Sequence, residues 1–319
     1  MRKLLIGLTA LLAIALITPV AVIALAAPKS PPAMAWAENA QQANPDLPTP
    51  RQFPARDGAR LQYYVYPGES NQVVILIHGS VFPGPSMHEL ATSLRNAGVT
   101  VYVPDIRGHG GSSRTGDIDY IGQLDDDLAD FIKEIGPARD GETRTLVGFS
   151  AGAGFGVRFA GGRYGELFDR YVFLSPILPG SSALRPGSGG WVNISIPRVV
   201  TIASLDRLGI DWFDGLPVIS YAVSPEQSAF VTSSYSFRLM ANFGAGSRYE
   251  TYLKNIRKPA AVLVGDMDEQ VRADQFAPLF QRLGVDIPVT IVSGMKHADM
   301  VYAPAALDAV VRAITRQQK

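Results

Sequence analysis

From Arg60 onward, short apolar runs alternate with stretches of helical period, and this rhythm limits the possible folds more than any other feature of the chain. Val73-Val74-Ile75-Leu76-Ile77 is a continuous, mostly β-branched run, the pattern of a strand buried on both faces. Leu61–Tyr66 has mixed polarity and reads as an edge strand. Ser86 with Glu89 three residues on is a capping box that predicts a helix start, and Gly98 stands where that helix should stop. Val99–Val103 is the next strand. Asp119–Ile135 follows as a helix with Ile121, Leu124, Leu128, Phe131, Ile132 and Ile135 on one face. Arg144–Val147 runs as a strand into Gly148, and a helix continues through about Arg163. Tyr171–Leu174, Ala261–Val264 and Val289–Val292 complete the strands; Gln275–Leu283 and Pro304–Arg316 are the last helices, the second with proline at its first position. Strands alternating with helices define an α/β class with a mostly parallel sheet covered on both faces. Ligands of such sheets bind beyond the carboxyl ends of the strands, so the residues after each strand are where chemistry is to be sought.

Two stretches depart from the rhythm. Pro176 to about Lys254 holds no strong buried strand. It is first rich in Gly, Pro and Ser, then aromatic, and Ser224-Pro225-Glu226-Gln227 has the form of a helix start. It reads as an insertion, about 176–254, that caps the strand ends. The other departure is the N-terminus, where Arg2 and Lys3 precede a run from Leu4 to Ala27 without a charged residue. A bilayer core takes about 20 apolar helical residues, so residues 1–27 are expected to be an uncleaved signal anchor and membrane helix. The competing reading is a secretory signal peptide cut after Ala35, at Ala33-Met34-Ala35. Either places Arg2 and Lys3 in the cytoplasm and the rest on the extracytoplasmic side, membrane-anchored in the first case and secreted in the second. Residues 28–54 read as a Pro/Ala-rich linker and 55–319 as the folded domain.

Composition narrows the chemistry. Lys plus Arg and Asp plus Glu are each 29, so the basic excess of a nucleic-acid binder is missing. No cysteine is present, which excludes disulfides, zinc-thiolate sites and a cysteine nucleophile. What remains conspicuous is Gly148-Phe149-Ser150-Ala151-Gly152, a G-x-S-x-G pattern between a predicted strand and a predicted helix. Small neighbours let the chain turn sharply there and expose the Ser150 hydroxyl as a nucleophile. Of the four histidines, His78, His88 and His109 precede the serine; only His297 can follow an acid downstream of it. The orienting carboxylate belongs after the strand Ala261–Val264, where spacing leaves Asp266, Asp268 and Glu269 open. The oxyanion hole needs two backbone N–H groups, one from Ala151 and one from Ser80 or Val81 in the loop after Ile77. Asp105-Ile106-Arg107-Gly108-His109-Gly110-Gly111-Ser112 reads as a structural loop. Asp125-Asp126-Asp127 cannot converge on one ion from consecutive helical positions and reads as a solvated face.

In this order these pieces resemble the α/β-hydrolase superfamily. The resemblance runs from about Arg51 to Arg316 and is strongest to the branch of monoacylglycerol lipases, lysophospholipases and serine aminopeptidase-like hydrolases. It is carried by His78-Gly79, Pro104-Asp105-Ile106-Arg107-Gly108-His109-Gly110, Gly148-Phe149-Ser150-Ala151-Gly152, Gly265-Asp266-Met267-Asp268 and Met295-Lys296-His297. It implies a lid after the sixth strand and places the acid on Asp268, leaving Asp266 as a turn residue. The expectation is a serine hydrolase with the triad Ser150, Asp268 and His297. It cleaves carboxylic esters, lipid-like ones (monoacylglycerol or lysophospholipid) ahead of small soluble ones, with no cofactor and no metal. The rivals are a peptidase or acyltransferase on the same triad, and a non-catalytic binding protein of this fold. A peptidase should offer acidic cap residues to a substrate amine, and Glu226 and Glu250 are the few available. Trp191, Trp212, Phe213, Tyr221, Phe230, Tyr235, Phe237 and Phe243 either line an acyl pocket or form the core of the cap itself.

Overall fold

The computed structural model describes residues 17–33, 46–187, 190–224, 226, 228 and 231–315. Its centre is an eight-stranded sheet: β1 (Arg51–Pro54), β2 (Arg60–Tyr66), β3 (Gln72–Ile77), β4 (Thr100–Pro104), β5 (Thr143–Phe149), β6 (Arg170–Leu174), β10 (Ala260–Gly265) and β11 (Val289–Val292). The spatial order is β1-β2-β4-β3-β5-β6-β10-β11. β1 and β2 are antiparallel to their neighbours, and from β4 to β11 every pairing is parallel. Alternate residues of the buried strands feed two cores. Val73, Ile75, Ile77 and Leu146 pack with α2 (Gln123–Glu134), α3 (Ala151–Ala160) and α7 (Phe276–Leu283). Val74, Leu76, Val147 and Leu263 pack with α1 (His88–Asn96) and α8 (Pro304–Thr315) on the other face. The continuous apolar runs exist because these strands bury both faces.

Several expectations are corrected. Leu61–Tyr66 is an interior strand: β1, within the stretch read as linker, hydrogen-bonds along its outer side. The Ser86 capping box does not form. Ser86 Oγ donates to the Pro83 carbonyl, a 3-10 turn occupies Gly84–Met87, and α1 starts at His88 without a side-chain cap. α2 begins only after Gly122, which takes φ 111°, so Tyr120 and Ile121 lie exposed ahead of it. Asp125, Asp126 and Asp127 are buried rather than solvated. Each turns to its own arginines: Asp125 to Arg158, Asp126 to Arg56 and Arg163, and Asp127 to Arg107. These partners lie far off in sequence, where helical period carries no trace of them.

The insertion has more structure than its sequence discloses. β7 (Val192–Ile194), β8 (Pro217–Tyr221) and β9 (Ser234–Ser236) form an antiparallel sheet, and β8 is a buried strand. α4 (Ile196–Asp206), α5 (Phe237–Asn242) and α6 (Tyr249–Asn255) surround it. The expected helix start at Ser224-Pro225-Glu226-Gln227 lies partly outside the described residues. Tyr221, Tyr235, Phe237 and Phe243 are buried in the cap's packing, Trp191 and Phe213 pack against the same core, and Phe230 falls outside the described residues. Residues 17–25 are helical and Ala26 and Ala27 follow them, while the run from Leu4 to Leu16 and the Met34-Ala35 cleavage position lie outside the described residues. Among the described residues no helix is long and apolar enough to cross a membrane, so the expected membrane helix finds no support there.

The Arg107 guanidinium is buried against both carboxylate oxygens of Asp127, at 2.7 and 2.8 Å. Arg114, largely exposed, meets Asp117 and Asp119 at the surface. Losing one member of a buried pair strands the other charge. Arg107→Met should therefore cost about 3–5 kcal/mol in urea unfolding, and Arg114→Ala less than about 1 kcal/mol. Equal losses would refute the distinction.

Candidate active site

Strand register lines up the carboxyl ends. Ile77 pairs with Gly148, Phe149 with Leu174, Leu174 with Leu263, and Gly265 with Val292. The residues that follow therefore meet along one edge. Ser150 sits between β5 and α3 at φ 57° and ψ −119°, backbone angles that a non-glycine residue holds only when its surroundings enforce them. The Ser150 N–H donates to the Leu174 carbonyl, and its carbonyl accepts from Gly154 and Ile177. The flanking glycines are required by close approach. A Cβ on Gly148 would collide with the Gly152 carbonyl, and one on Gly152 with the His78 carbonyl.

Ser150, His297 and Asp268 come together and are nearly sealed, Ser150 being 4 % exposed. His297 Nε2 lies 2.9 Å from Ser150 Oγ, and His297 Nδ1 lies 2.8 and 3.0 Å from the two Asp268 oxygens. A carboxylate only accepts, so Nδ1 carries the proton and Nε2 is free to receive one from the serine. Burial pushes the Asp268 carboxyl up, but His297 and the Gln270 N–H pull it further down, and the net effect holds it below the usual carboxylate range. The Val271 N–H donates to the same oxygen as Gln270, and Arg185 from the insertion donates to the Asp268 carbonyl. The Phe149 ring packs 5.0 Å from the imidazole. The other carboxylates serve the loops: Asp266 accepts from the Gly294 N–H and the Ser293 hydroxyl, and Glu269 from the His297 N–H.

The two candidate donors in the loop after β3 part company. Ala151 is the first residue of α3, where an N–H has no intrahelical acceptor. The Ser80 N–H makes no hydrogen bond to another described protein group. The Val81 N–H, by contrast, donates to the Tyr235 hydroxyl at 3.0 Å, and Val81 is held at φ 73°, a strained angle for a β-branched residue. Ser80 and Ala151 thus fit the two-donor role, and Val81 is already engaged. Tyr235, on β9 of the cap, reaches His109 Nε2 at 2.6 Å and packs edge-on against Tyr221. Thr232, just before β9, donates its N–H to the Val81 carbonyl and its hydroxyl to the Gly108 carbonyl. Sequence reasoning placed Tyr235 only among the cap aromatics and missed its bond to the loop after β3, because the register of that segment could not be read. His78 sits beneath the loop. Its Nδ1 faces the Gly79 carbonyl at 2.8 Å and its Nε2 accepts from the Ile106 N–H, so the ring is neutral. Asp105 accepts from the Gly84 and Gly111 N–H groups and braces the adjacent loop. Burial pushes its carboxyl up to about 6.

Residues 68–301 match the family model described as serine aminopeptidase, S33, and the chain belongs to that family of α/β hydrolases. No curated protein matches it. Among solved structures it is similar to a monoacylglycerol lipase of Paleococcus ferrophilus, at 22% identity and TM-score 0.59 over 80% of this chain and 98% of that one. It is also similar to a soluble variant of monoglyceride lipase from Saccharomyces cerevisiae, at 17% identity and TM-score 0.60 over 85% and 94%. A third is a putative aryl esterase from Burkholderia cenocepacia, at 19% identity and TM-score 0.59 over 84% and 100%. At these identities the likeness establishes the fold.

Two outcomes follow from this geometry. Tyr235→Phe should free Val81 and loosen the loop that carries Ser80. The expected result is a loss of about tenfold in kcat with KM nearly unchanged, since only a donor to developing charge is displaced; an unaltered kcat would detach Tyr235 from the loop. The second concerns acid. Burial depresses His78 to about 4 from 6.5, so the unfolded chain takes up a proton first as pH falls. The stability tied to the neutral ring is present above the unfolded value and is lost as pH drops toward the folded one. The destabilisation caused by His78→Asn should therefore shrink by on the order of 2 kcal/mol between about pH 7 and about pH 4.5 in denaturant titrations. A constant gap would mean that the ring is not held neutral.

Proposed function

We propose that the chain is a serine hydrolase that cleaves carboxylic esters through an acyl-enzyme on Ser150. The observation that carries the proposal is the continuous chain Ser150 Oγ–His297 Nε2, His297 Nδ1–Asp268 at a strained strand-to-helix turn. Ser150 Oγ attacks the ester carbonyl while His297 takes its proton. Asp268 holds the imidazole in the required tautomer and stabilises the imidazolium. The oxyanion is received by the Ala151 and Ser80 N–H groups. His297 then protonates the leaving alcohol, and water activated by the same ring releases the acid. Apart from the ester and the water, every reacting group is a side chain or amide of this chain.

Lipid-like esters, monoacylglycerol or lysophospholipid, are the preferred substrates. The apolar run from Leu4 to Ala27, read as a tether, would keep the enzyme beside lipid, on the extracytoplasmic side. Two of the similar structures are described as monoacylglycerol or monoglyceride lipases, which agrees with this choice. The family description favours a peptidase as the second reading. Of the two acidic cap residues that such a reading would use, Glu250 is occupied by Arg282 at 2.8 Å.

Fluorophosphonate labelling tests the proposal. Wild type should label strongly, Ser150→Ala not at all, His297→Ala hardly, and Asp268→Asn with a rate lowered by about 10³–10⁴. Hydrolysis of monoacylglycerols should then exceed that of aminoacyl anilides. Failure of folded wild type to label removes the activated serine and leaves the binding-protein reading; preference for the anilides installs the peptidase.

A further inference from the structure

Beside the triad stands an arginine whose charge is left unanswered. Arg56, Arg107, Arg144, Arg158 and Arg238 each meet a carboxylate. Arg185, half-buried near the start of the insertion, meets none among the described residues. Its place is set by the backbone. Leu184 forms an isolated antiparallel bridge with Val271, in which the Arg185 N–H donates to the Gln270 carbonyl at 2.9 Å and the Arg272 N–H to the Ala183 carbonyl at 2.7 Å. The stretch 268–271 bends around the Asp268 carboxylate, which accepts from the Gln270 and Val271 amides. Two carbonyls of the same stretch, those of Asp268 and Val271, share the Arg185 Nε–H at 2.9 and 3.0 Å.

A guanidinium carries five N–H donors in a rigid fork; here Nε spends one, and the four on the Nη nitrogens make no hydrogen bond to a described group. Neither Nη is sealed off from the surroundings. The nearest carboxylates are engaged elsewhere, Asp268 with the imidazole of His297 and Glu269 with the His297 N–H. Arg272, half-buried at the other end of the bridge, adds a second positive charge that is in no ion pair among the described residues. A cation partly withdrawn from water is unfavourable until an anion meets it, and a fork with both outer nitrogens free is shaped for two parallel bonds to a carboxylate or a phosphate. Arg185 to Asp268, Asp268 to His297 and His297 to Ser150 are successive hydrogen bonds, so an anion held there lies beside the reacting centre. The side is also defined. The leaving alcohol takes its proton from His297, which puts the alcohol part of an ester on the His297–Asp268 side of Ser150, where Arg185 is anchored.

We infer that Arg185 is a specificity-determining residue that takes an anionic group, phosphate or carboxylate, on the alcohol part of the ester. The inference rests on the hydrolase reading proposed above and narrows its substrate from lipid-like esters in general to those whose alcohol part carries negative charge. Membrane tethering plays no part in it.

The test compares esters of one acyl chain with glycerol, with glycerate and with glycerol phosphate. Wild type should show a kcat/KM at least about tenfold higher on one or both anionic esters than on the neutral one, the gain expected of charge-assisted hydrogen bonds. Arg185→Met also loosens the acid loop and so lowers the rate on every ester. Its distinguishing mark is that the preference for the anionic esters shrinks to within about twofold of unity, mostly through KM. Arg185→Lys, which keeps the charge without the fork, should retain part of the preference. A preference for both anions assigns Arg185 a single negative charge, and one confined to glycerol phosphate assigns it the phosphate; either supports the inference. Wild type that labels with fluorophosphonate but treats the esters alike overturns it, and so does a preference that survives Arg185→Met. Failure of wild type to label sinks the hydrolase reading instead. Calorimetry of the glycerol phosphate ester with Ser150→Ala then decides Arg185 separately: binding that is lost when Arg185→Met is added supports its role, and binding that is absent or unchanged overturns it.

Discussion

The contact on which the site depends is between backbones. Gly152, in the first turn of α3, lies so close to the His78 carbonyl that no Cβ fits between them. That approach sets the end of β3 against the start of α3, which brings the loop after Ile77 beside Ala151. It also forces the sharp turn at Ser150, whose strained angles are kept in place by the Leu174 carbonyl on one side and by the Gly154 and Ile177 amides on the other. Strain of this kind costs on the order of 1–3 kcal/mol and survives only inside a frame that over-determines it. Here the frame is the parallel sheet, with cores packed on both of its faces.

Around this turn the polar groups are buried and almost all answered. The Asp268 carboxylate has an imidazole and two amides. Asp105 has the Gly84 and Gly111 amides and Gln62. The acidic start of α2 has four arginines. Buried charge is tolerated where partners and hydrogen bonds surround it. His78 follows the other course: it stays neutral and uses one ring nitrogen on each of two backbone partners, tying the β3 loop to the β4 loop.

Much of this could be read from residue order alone, and the reasons for the exceptions are physical. Strands buried on both faces appear as continuous apolar runs, so β3, β4, β5, β6 and β10 were visible. Ser150 and His297 were visible because a tight turn demands Gly148 and Gly152 and because one histidine alone lies downstream. The choice of Asp268 over Asp266 required family resemblance, since both follow the same strand; in three dimensions they separate cleanly, one on the imidazole and the other on the Gly294 amide. Burial of Asp125, Asp126 and Asp127 could not be read, because their arginines come from β-loops and α3, and periodicity describes one helix at a time. β8 was hidden in the cap for a related reason: three short strands around aromatic residues give no sustained alternation. Val81 and Ser80 were indistinguishable until Tyr235 was placed beside one of them.

Tyr235 also decides what kind of cap this is. A cover that only excluded water would touch the rim of the site. This one is bonded into it: the Tyr235 hydroxyl receives the Val81 N–H, Thr232 binds the Val81 and Gly108 carbonyls, and Arg185 grips the Asp268 carbonyl from the other side. The same few bonds therefore close the site and shape the loops that carry the Ser80 amide and the Asp268 carboxylate. The insertion is thus held to both sides of the site at once, by Tyr235 and Thr232 on the loop after β3 and by Arg185 on the loop after β10.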